Sequence, residues 1–149
     1  MVNVYVCFTL DIVHTGHLKV LDKASQLGSV TIGILSDKAL IGHRSLPIVK
    51  YEQRKRIALG LKGVDRVVEQ DEWSYVPNIL KYKPDFFVRG DDWKLNEPEL
   101  RESVKNALDS YGGKLVETEH EIDVSNATDR YLRSQQMTIS LRFASLIRV

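Results

Sequence analysis

The sequence predicts an α/β domain, a Rossmann-like, doubly wound parallel sheet of about five strands with flanking helices. Three observations carry that expectation. Short apolar runs alternate with stretches of helical spacing from residue 3 to residue 117, the order that builds a parallel sheet with right-handed crossovers. The first apolar run leads straight into a turn, Phe8-Thr9-Leu10-Asp11-Ile12-Val13-His14-Thr15-Gly16-His17, and from there into a helix. Glycines stand where helices end: Gly28 after the first and Gly112-Gly113 after the fourth, as glycine does just past a helix C-terminus.

The elements follow in order. Residues 3–8 are apolar and read as a buried first strand. Residues 16–27 read as a helix, because Leu18, Leu21 and Ala24-Ser25 form the i, i+3, i+7 stripe of a helix packed on a sheet. Further strands are expected at 29–35, 66–69, 85–88 and 114–117, with helices at 51–61, 76–82 and 97–111. Ser125-Asn126-Ala127-Thr128-Asp129 is rich in capping residues and starts a helix through Ser134. The run from 137 to 149 is apolar and basic, with Leu141, Leu146, Arg142 and Arg148. It reads as a helical connector, so the expected organisation is a domain over 1–135 and a connector over 136–149.

Composition narrows the function classes. The 149 residues suit one domain with a sizeable core. A formal net charge of +1 gives no reason to expect nucleic-acid or membrane binding. No apolar run approaches the roughly 18 residues of a membrane span, and no basic segment precedes the first strand as in a secretion signal. The single cysteine, Cys7, excludes an internal disulfide and fits a reducing cytoplasm. Its place in the first strand predicts an apolar packing role.

Chemistry concentrates at the turn after the first strand. In doubly wound sheets, ligands bind beyond the carboxyl ends of the strands. Backbone N–H groups at a helix start are unpaired and attract phosphate. Two imidazoles there, His14 and His17, add donors to an anion whose charge grows during reaction. Gly16 permits close approach of backbone to phosphate.

His14-Thr15-Gly16-His17 resembles the His-x-Gly-His signature of the nucleotidyltransferase superfamily that includes the cytidylyltransferases. Tyr51-Glu52-Gln53-Arg54-Lys55-Arg56 resembles the basic helix start of glycerol-3-phosphate cytidylyltransferases, and Gly90-Asp91-Asp92-Trp93 their Gly-Asp-Asp-Trp segment. A finer similarity joins Ser36-Asp37-Lys38-Ala39, Arg44-Ser45-Leu46-Pro47, Tyr75-Val76-Pro77-Asn78 and Gly112-Gly113-Lys114-Leu115 to the cytidylyltransferase domain fused ahead of phosphoenolpyruvate mutase in phosphonate (fosfomycin) pathways. The tail Arg142-Phe143-Ala144-Ser145-Leu146-Ile147 is similar to the start of the mutase half.

The resemblance implies transfer of CMP from CTP to a small phosphonate such as 2-hydroxyethylphosphonate, with release of pyrophosphate. Glycerol 3-phosphate or another phosphate ester is the alternative acceptor. The attacking oxygen is already anionic, so catalysis comes from positioning and charge neutralisation. His14 and His17 are then the catalytic pair at the α/β phosphates. Thr9, Leu10, Gly16, Arg54, Asp92, Trp93 and Ser125 bind nucleotide, and Asp11 and Arg44 bind the acceptor. Arg54 is expected to donate two parallel hydrogen bonds to phosphate, and Trp93 to pack against the base or a dimer neighbour. Mg²⁺ is the expected cofactor, held in part by Asp91. A homodimer is the expected assembly, fusion to a mutase domain is a further expectation, and neither nucleic acid nor membrane is an expected partner.

Three departures stand beside the resemblance. Phe8 replaces a glycine that the family places before the threonine. His43 stands where the glycerol-phosphate enzyme has lysine. Residues 119–128, Glu-His-Glu-Ile-Asp-Val-Ser-Asn-Ala-Thr, replace an Arg-Thr-x-Gly-Ile-Ser-Thr-Thr segment that binds triphosphate, keeping only Ser125 in type. A second reading follows: a degenerate domain that binds nucleotide and serves assembly or regulation. An adenylyltransferase for a cofactor precursor fits the histidines but not Gly-Asp-Asp-Trp.

Overall fold

A computed structural model describes residues 1–43 and 47–119. Five parallel strands form one sheet: β1 (Asn3–Phe8), β2 (Ser29–Leu35), β3 (Arg66–Gln70), β4 (Phe86–Gly90) and β5 (Lys114–Thr118). Their spatial order is β3-β2-β1-β4-β5. The chain winds outward from β1 through β2 to β3, then returns past β1 to β4 and β5. The switch point therefore lies between β1 and β4, where Val4 and Tyr5 pair with Phe86 and Phe87.

Helices α1 (Thr15–Leu27), α3 (Tyr51–Leu59), α4 (Val76–Tyr82) and α6 (Pro98–Asp109) fall where periodicity predicts them. Two elements were not predicted: α2 (Asp37–Leu40) and α5 (Trp93–Asn96). Each is a single turn, too short to show a hydrophobic period. The expected helix over 97–111 ends at Asp109, since Ser110 to Gly112 form the turn into β5. The expected helix and connector beyond residue 119 lie outside the described residues.

Alternate residues of β1 feed two cores. Val4 and Val6 join Val20, Leu21 and Ala24 of α1 with Val30, Ile32 and Ile34 of β2. Tyr5 faces the other side, with Phe87, Trp93, Ile79, Val104 and Leu108. Cys7 packs against this second cluster, as the packing reading of the sequence expects. Burial pushes its thiol up to about 12, opposed by the Arg89 guanidinium.

Gly33 of β2 has a specific cause. The Tyr5 hydroxyl crosses β2 to donate to Gln70 Oε1 of β3 at 2.8 Å, and accepts from Asn78 Nδ2 at 2.9 Å. A Cβ on Gly33 would occupy the position of that hydroxyl. Gly33→Ala is therefore expected to destabilise by about 2–3 kcal/mol through overpacking, read as a fall in urea midpoint. Pairing it with Tyr5→Phe removes the hydroxyl but leaves the ring Cζ 2.5 Å from that Cβ, so only part of the loss should be recovered.

Candidate active site

Helix α1 starts at the carboxyl end of β1 with an unusual cap. His14 is the N-cap residue, in extended conformation at φ −134° and ψ 175°. Its Nδ1 accepts the Gly16 N–H at 3.0 Å, and its own N–H donates to His17 Nδ1 at 3.1 Å. This is a capping box with imidazoles in place of the usual hydroxyl and carboxylate. Because each Nδ1 accepts a backbone proton, each neutral ring carries its own proton on Nε2. The ring centroids lie 4.0 Å apart, and the Phe8 ring meets His17 edge-on at 4.8 Å. The two histidines are thus fixed in tautomer and orientation by backbone, and both become Nε2–H donors.

The structure adds a role for Gly16. A Cβ there would lie 2.7 Å from His14 Cε1 and 2.9 Å from its Nδ1. Any side chain at 16 pushes the first imidazole off the N–H that it caps. Phe8, which replaces the family's glycine, packs against the first core and steadies His17.

The rest of the turn is pinned from below. Leu10 takes a left-handed conformation at φ 59° and buries its side chain. Asp11, expected at the acceptor, accepts N–H groups instead: Ile48 on Oδ2 at 3.0 Å and Val49 on Oδ1 at 2.8 Å. Its role here is to order the segment before α3.

Arg54 corrects the phosphate contact that the sequence predicts. Its side chain has 0% exposure. Nε donates to Val49 O at 2.9 Å, Nη1 to Thr9 O and Leu35 O at 2.7 Å each, and Nη2 to Asp37 Oδ1 at 2.7 Å. These bonds fix the guanidinium inside the protein, as a clamp under the turn. The Nη1 bond also engages the Thr9 carbonyl.

Trp93 is corrected likewise. It is fully buried, stacks with Phe87, and donates from Nε1 to Glu117 Oε2 at 2.7 Å. It is a core residue, and base stacking is not open to it. Asp92 precedes α5, with Oδ2 3.7 Å from Arg89 Nη2. The Asp91 N–H donates to Thr118 O at 2.9 Å, which ties the end of β4 to β5. Arg44 and Ser125 lie outside the described residues. His14, Gly16 and His17 therefore come together at the end of β1, and Asp91 and Asp92 follow β4 across the switch point. Arg89, near the end of β4, also stands there.

Beside this site, Glu117 accepts from Trp93 and from Arg101, with Arg101 Nη2 2.8 Å from Oε1. Burial alone would raise its carboxyl, but the hydrogen bonds from Arg101 and Trp93 outweigh burial and hold it below the usual glutamate range. A carboxyl depressed in the folded state contributes stability above the unfolded value, about 4.3, and loses it as pH falls through the folded value. Glu117→Gln should thus lower Tm at neutral pH, and its Tm should converge on that of the parent as pH falls below about 4.

The described residues contain no group of three or more His, Cys, Asp or Glu side chains able to hold a metal. That donor set fits Mg²⁺ only in the mode where substrate phosphates and water complete the shell around one or two carboxylates, here Asp91 foremost. No helix among the described residues is long and apolar enough to cross a membrane.

Comparison with known proteins agrees with this geometry. The cytidylyltransferase-like family model matches residues 6–128. The chain is 35% identical over 105 residues to a FAD synthase of Archaeoglobus profundus, covering 70% of this chain and 68% of that protein. It is 34% identical over 88 residues to the glycerol-3-phosphate cytidylyltransferase of Bacillus subtilis, covering 58% and 68%. Among solved structures, a lipopolysaccharide core biosynthesis protein from Thermoplasma volcanium superposes with a TM-score of 0.68 at 25% identity, covering 80% of this chain and 98% of that one. The parallel sheet, the doubly capped His14–His17 turn and the family match converge: the chain belongs to the cytidylyltransferase-like family and is a nucleotidyltransferase.

Proposed function

We propose that the protein transfers CMP from CTP to a small phosphonate or phosphate ester, with 2-hydroxyethylphosphonate the preferred acceptor class, and releases pyrophosphate. The single observation that carries nucleotidyl transfer is the reciprocal cap at the start of α1, in which each Nδ1 accepts a backbone N–H and Nε2 of each neutral ring is thereby the donor. Donors held there by backbone need no reorganisation when charge builds on the leaving phosphates. The α1 N–H groups add to the same field. Similarity to a glycerol-3-phosphate cytidylyltransferase supports CTP as the donor. The phosphonate acceptor rests on the resemblance of residues 36–39, 44–47, 75–78 and 112–115. Mg²⁺ would neutralise the triphosphate, with Asp91 contributing a carboxylate. A homodimer, and fusion to a mutase domain in the full protein, belong to the same reading.

Similarity to FAD synthases favours a second reading, adenylyl transfer from ATP to a flavin mononucleotide. One assay separates the two: pyrophosphate release with CTP or ATP, Mg²⁺, and 2-hydroxyethylphosphonate, glycerol 3-phosphate or FMN. CTP with 2-hydroxyethylphosphonate should give the highest kcat/KM. Release only with ATP and FMN would establish the second reading instead. No release with any pair would leave a nucleotide-binding module without turnover.

A further inference from the structure

Arg89 is the side chain before the end of β4, and the reaction scheme above gives it no task. It stands beside Cys7 on the sheet face opposite α1, among residues of the second core. Its guanidinium carbon lies 4.4 Å from the Trp93 ring centre and 5.5 Å from that of Tyr75, and its Nη1 donates to Tyr75 Oη at 2.9 Å. The side chain is 19% exposed. Asp92 Oδ2, at 3.7 Å from Nη2, is beyond hydrogen-bond distance. Glu117, its register neighbour on β5, is taken by Trp93 and Arg101. A guanidinium has five N–H donors. One goes to Tyr75, and the other four meet no hydrogen-bond acceptor among the described residues. A planar cation held against an indole face, partly desolvated and with its fork open, is built to take two oxygens of one oxyanion.

We propose that Arg89 anchors the phosphoryl group of the acceptor, with Trp93 and Tyr75 fixing the plane of its guanidinium. This rests on the nucleotidyl-transfer reading. The assignment to acceptor rather than triphosphate comes from placement. His14 and His17 belong to α1, which packs on the Val4 and Val6 face, and Arg89 stands on the other face of the strand ends. In-line displacement requires the attacking oxygen to enter opposite the leaving group. If the leaving phosphates lie at the start of α1, the nucleophile arrives from the Arg89 side. Two acceptor oxygens rest on Arg89 while the third forms a bond to the α-phosphorus. The bond from that phosphorus to the bridging oxygen breaks, and its electron pair leaves on pyrophosphate. No proton transfer is needed. Asp92, beside the guanidinium, balances its charge before the acceptor binds.

The test uses methylphosphonate as a minimal probe, titrated into the protein and followed by ³¹P NMR, with CTP binding measured separately by calorimetry. Arg89→Gln should weaken methylphosphonate binding by about tenfold or more, the scale of a charge-assisted bidentate pair, and leave CTP binding within about twofold. Arg89→Lys keeps the charge without the fork and should recover only part of the affinity. Tyr75→Phe, which frees the guanidinium but keeps its charge, should cost a few-fold. In turnover, Arg89→Gln should raise the acceptor KM and leave the CTP KM unchanged. Unchanged methylphosphonate binding in a folded Arg89→Gln protein would overturn the inference, as would a loss confined to CTP. Methylphosphonate binding that depends on Arg89, with no pyrophosphate release from any nucleotide, would sustain the anion site and remove nucleotidyl transfer.

Discussion

His17→Ala is expected to lower kcat by about 10²–10³, the usual cost of removing one preorganised donor to a developing anion, and to cost about 1 kcal/mol of stability through the lost cap. Both effects trace to one ring. Nδ1 of His17 accepts the His14 N–H at 3.1 Å, and that bond places the proton on Nε2. Alanine therefore removes the donor and also leaves a backbone N–H without its cap. His17→Glu separates the two. Glutamate is a natural partner at this position of a capping box, so it can accept the His14 N–H, but an ionised carboxylate has no proton to donate. Its Tm should return close to the parent value while kcat stays as low as in the alanine variant or lower. Thermal unfolding beside steady-state kinetics on both variants makes the check. If glutamate restored turnover together with Tm, the imidazole would be a cap and nothing more, and the chemistry assigned to Nε2–H would fail.

The same ring shows how far the sequence can be read. His-x-Gly-His after an apolar strand announces a turn between strand end and helix start, because residue type and position suffice for that. The reciprocal cap is not legible, since histidine is not a common capping residue and the bond depends on ring orientation. β1, β2 and β4 are legible because each is a largely apolar run of five to seven residues, whereas the edge strands β3 and β5 show only a short apolar centre between polar residues. α2 and α5 are not, since four residues contain no period. Trp93 and Arg54 mislead for a shared reason. Each falls in a segment that resembles a nucleotide-binding stretch, and segment resemblance does not report which way a side chain turns. Trp93 turns inward because Glu117 of β5 offers its indole N–H a buried acceptor. Nothing local to residues 90–93 encodes that carboxylate; it comes from a strand more than twenty residues later.

Arg54 carries the largest expected stability effect. Its guanidinium joins the end of β1 through Thr9, the end of β2 through Leu35, the segment before α3 through Val49, and α2 through Asp37. Arg54→Met keeps most of the volume and strands three backbone carbonyls and one carboxylate. Breaking a buried charged network of this kind costs about 3–5 kcal/mol. Asp37→Ala distinguishes the sources of that loss. The Asp37 side chain is 45% exposed and Arg54 would keep its three carbonyl acceptors, so this variant should cost only about 1 kcal/mol. Urea unfolding of both variants measures the ratio. Equal losses would mean that the ion pair, rather than the carbonyl clamp, holds the ends of β1 and β2 together. The functional consequence follows from geometry. Asp11 pins Ile48 and Val49 from the β1 side, and Arg54 holds Val49 O from α3, so residues 48–49 connect the histidine turn to α3. Arg54→Met at a temperature where it remains folded should therefore raise KM for CTP and acceptor together, whereas a phosphate ligand would shift the CTP value alone.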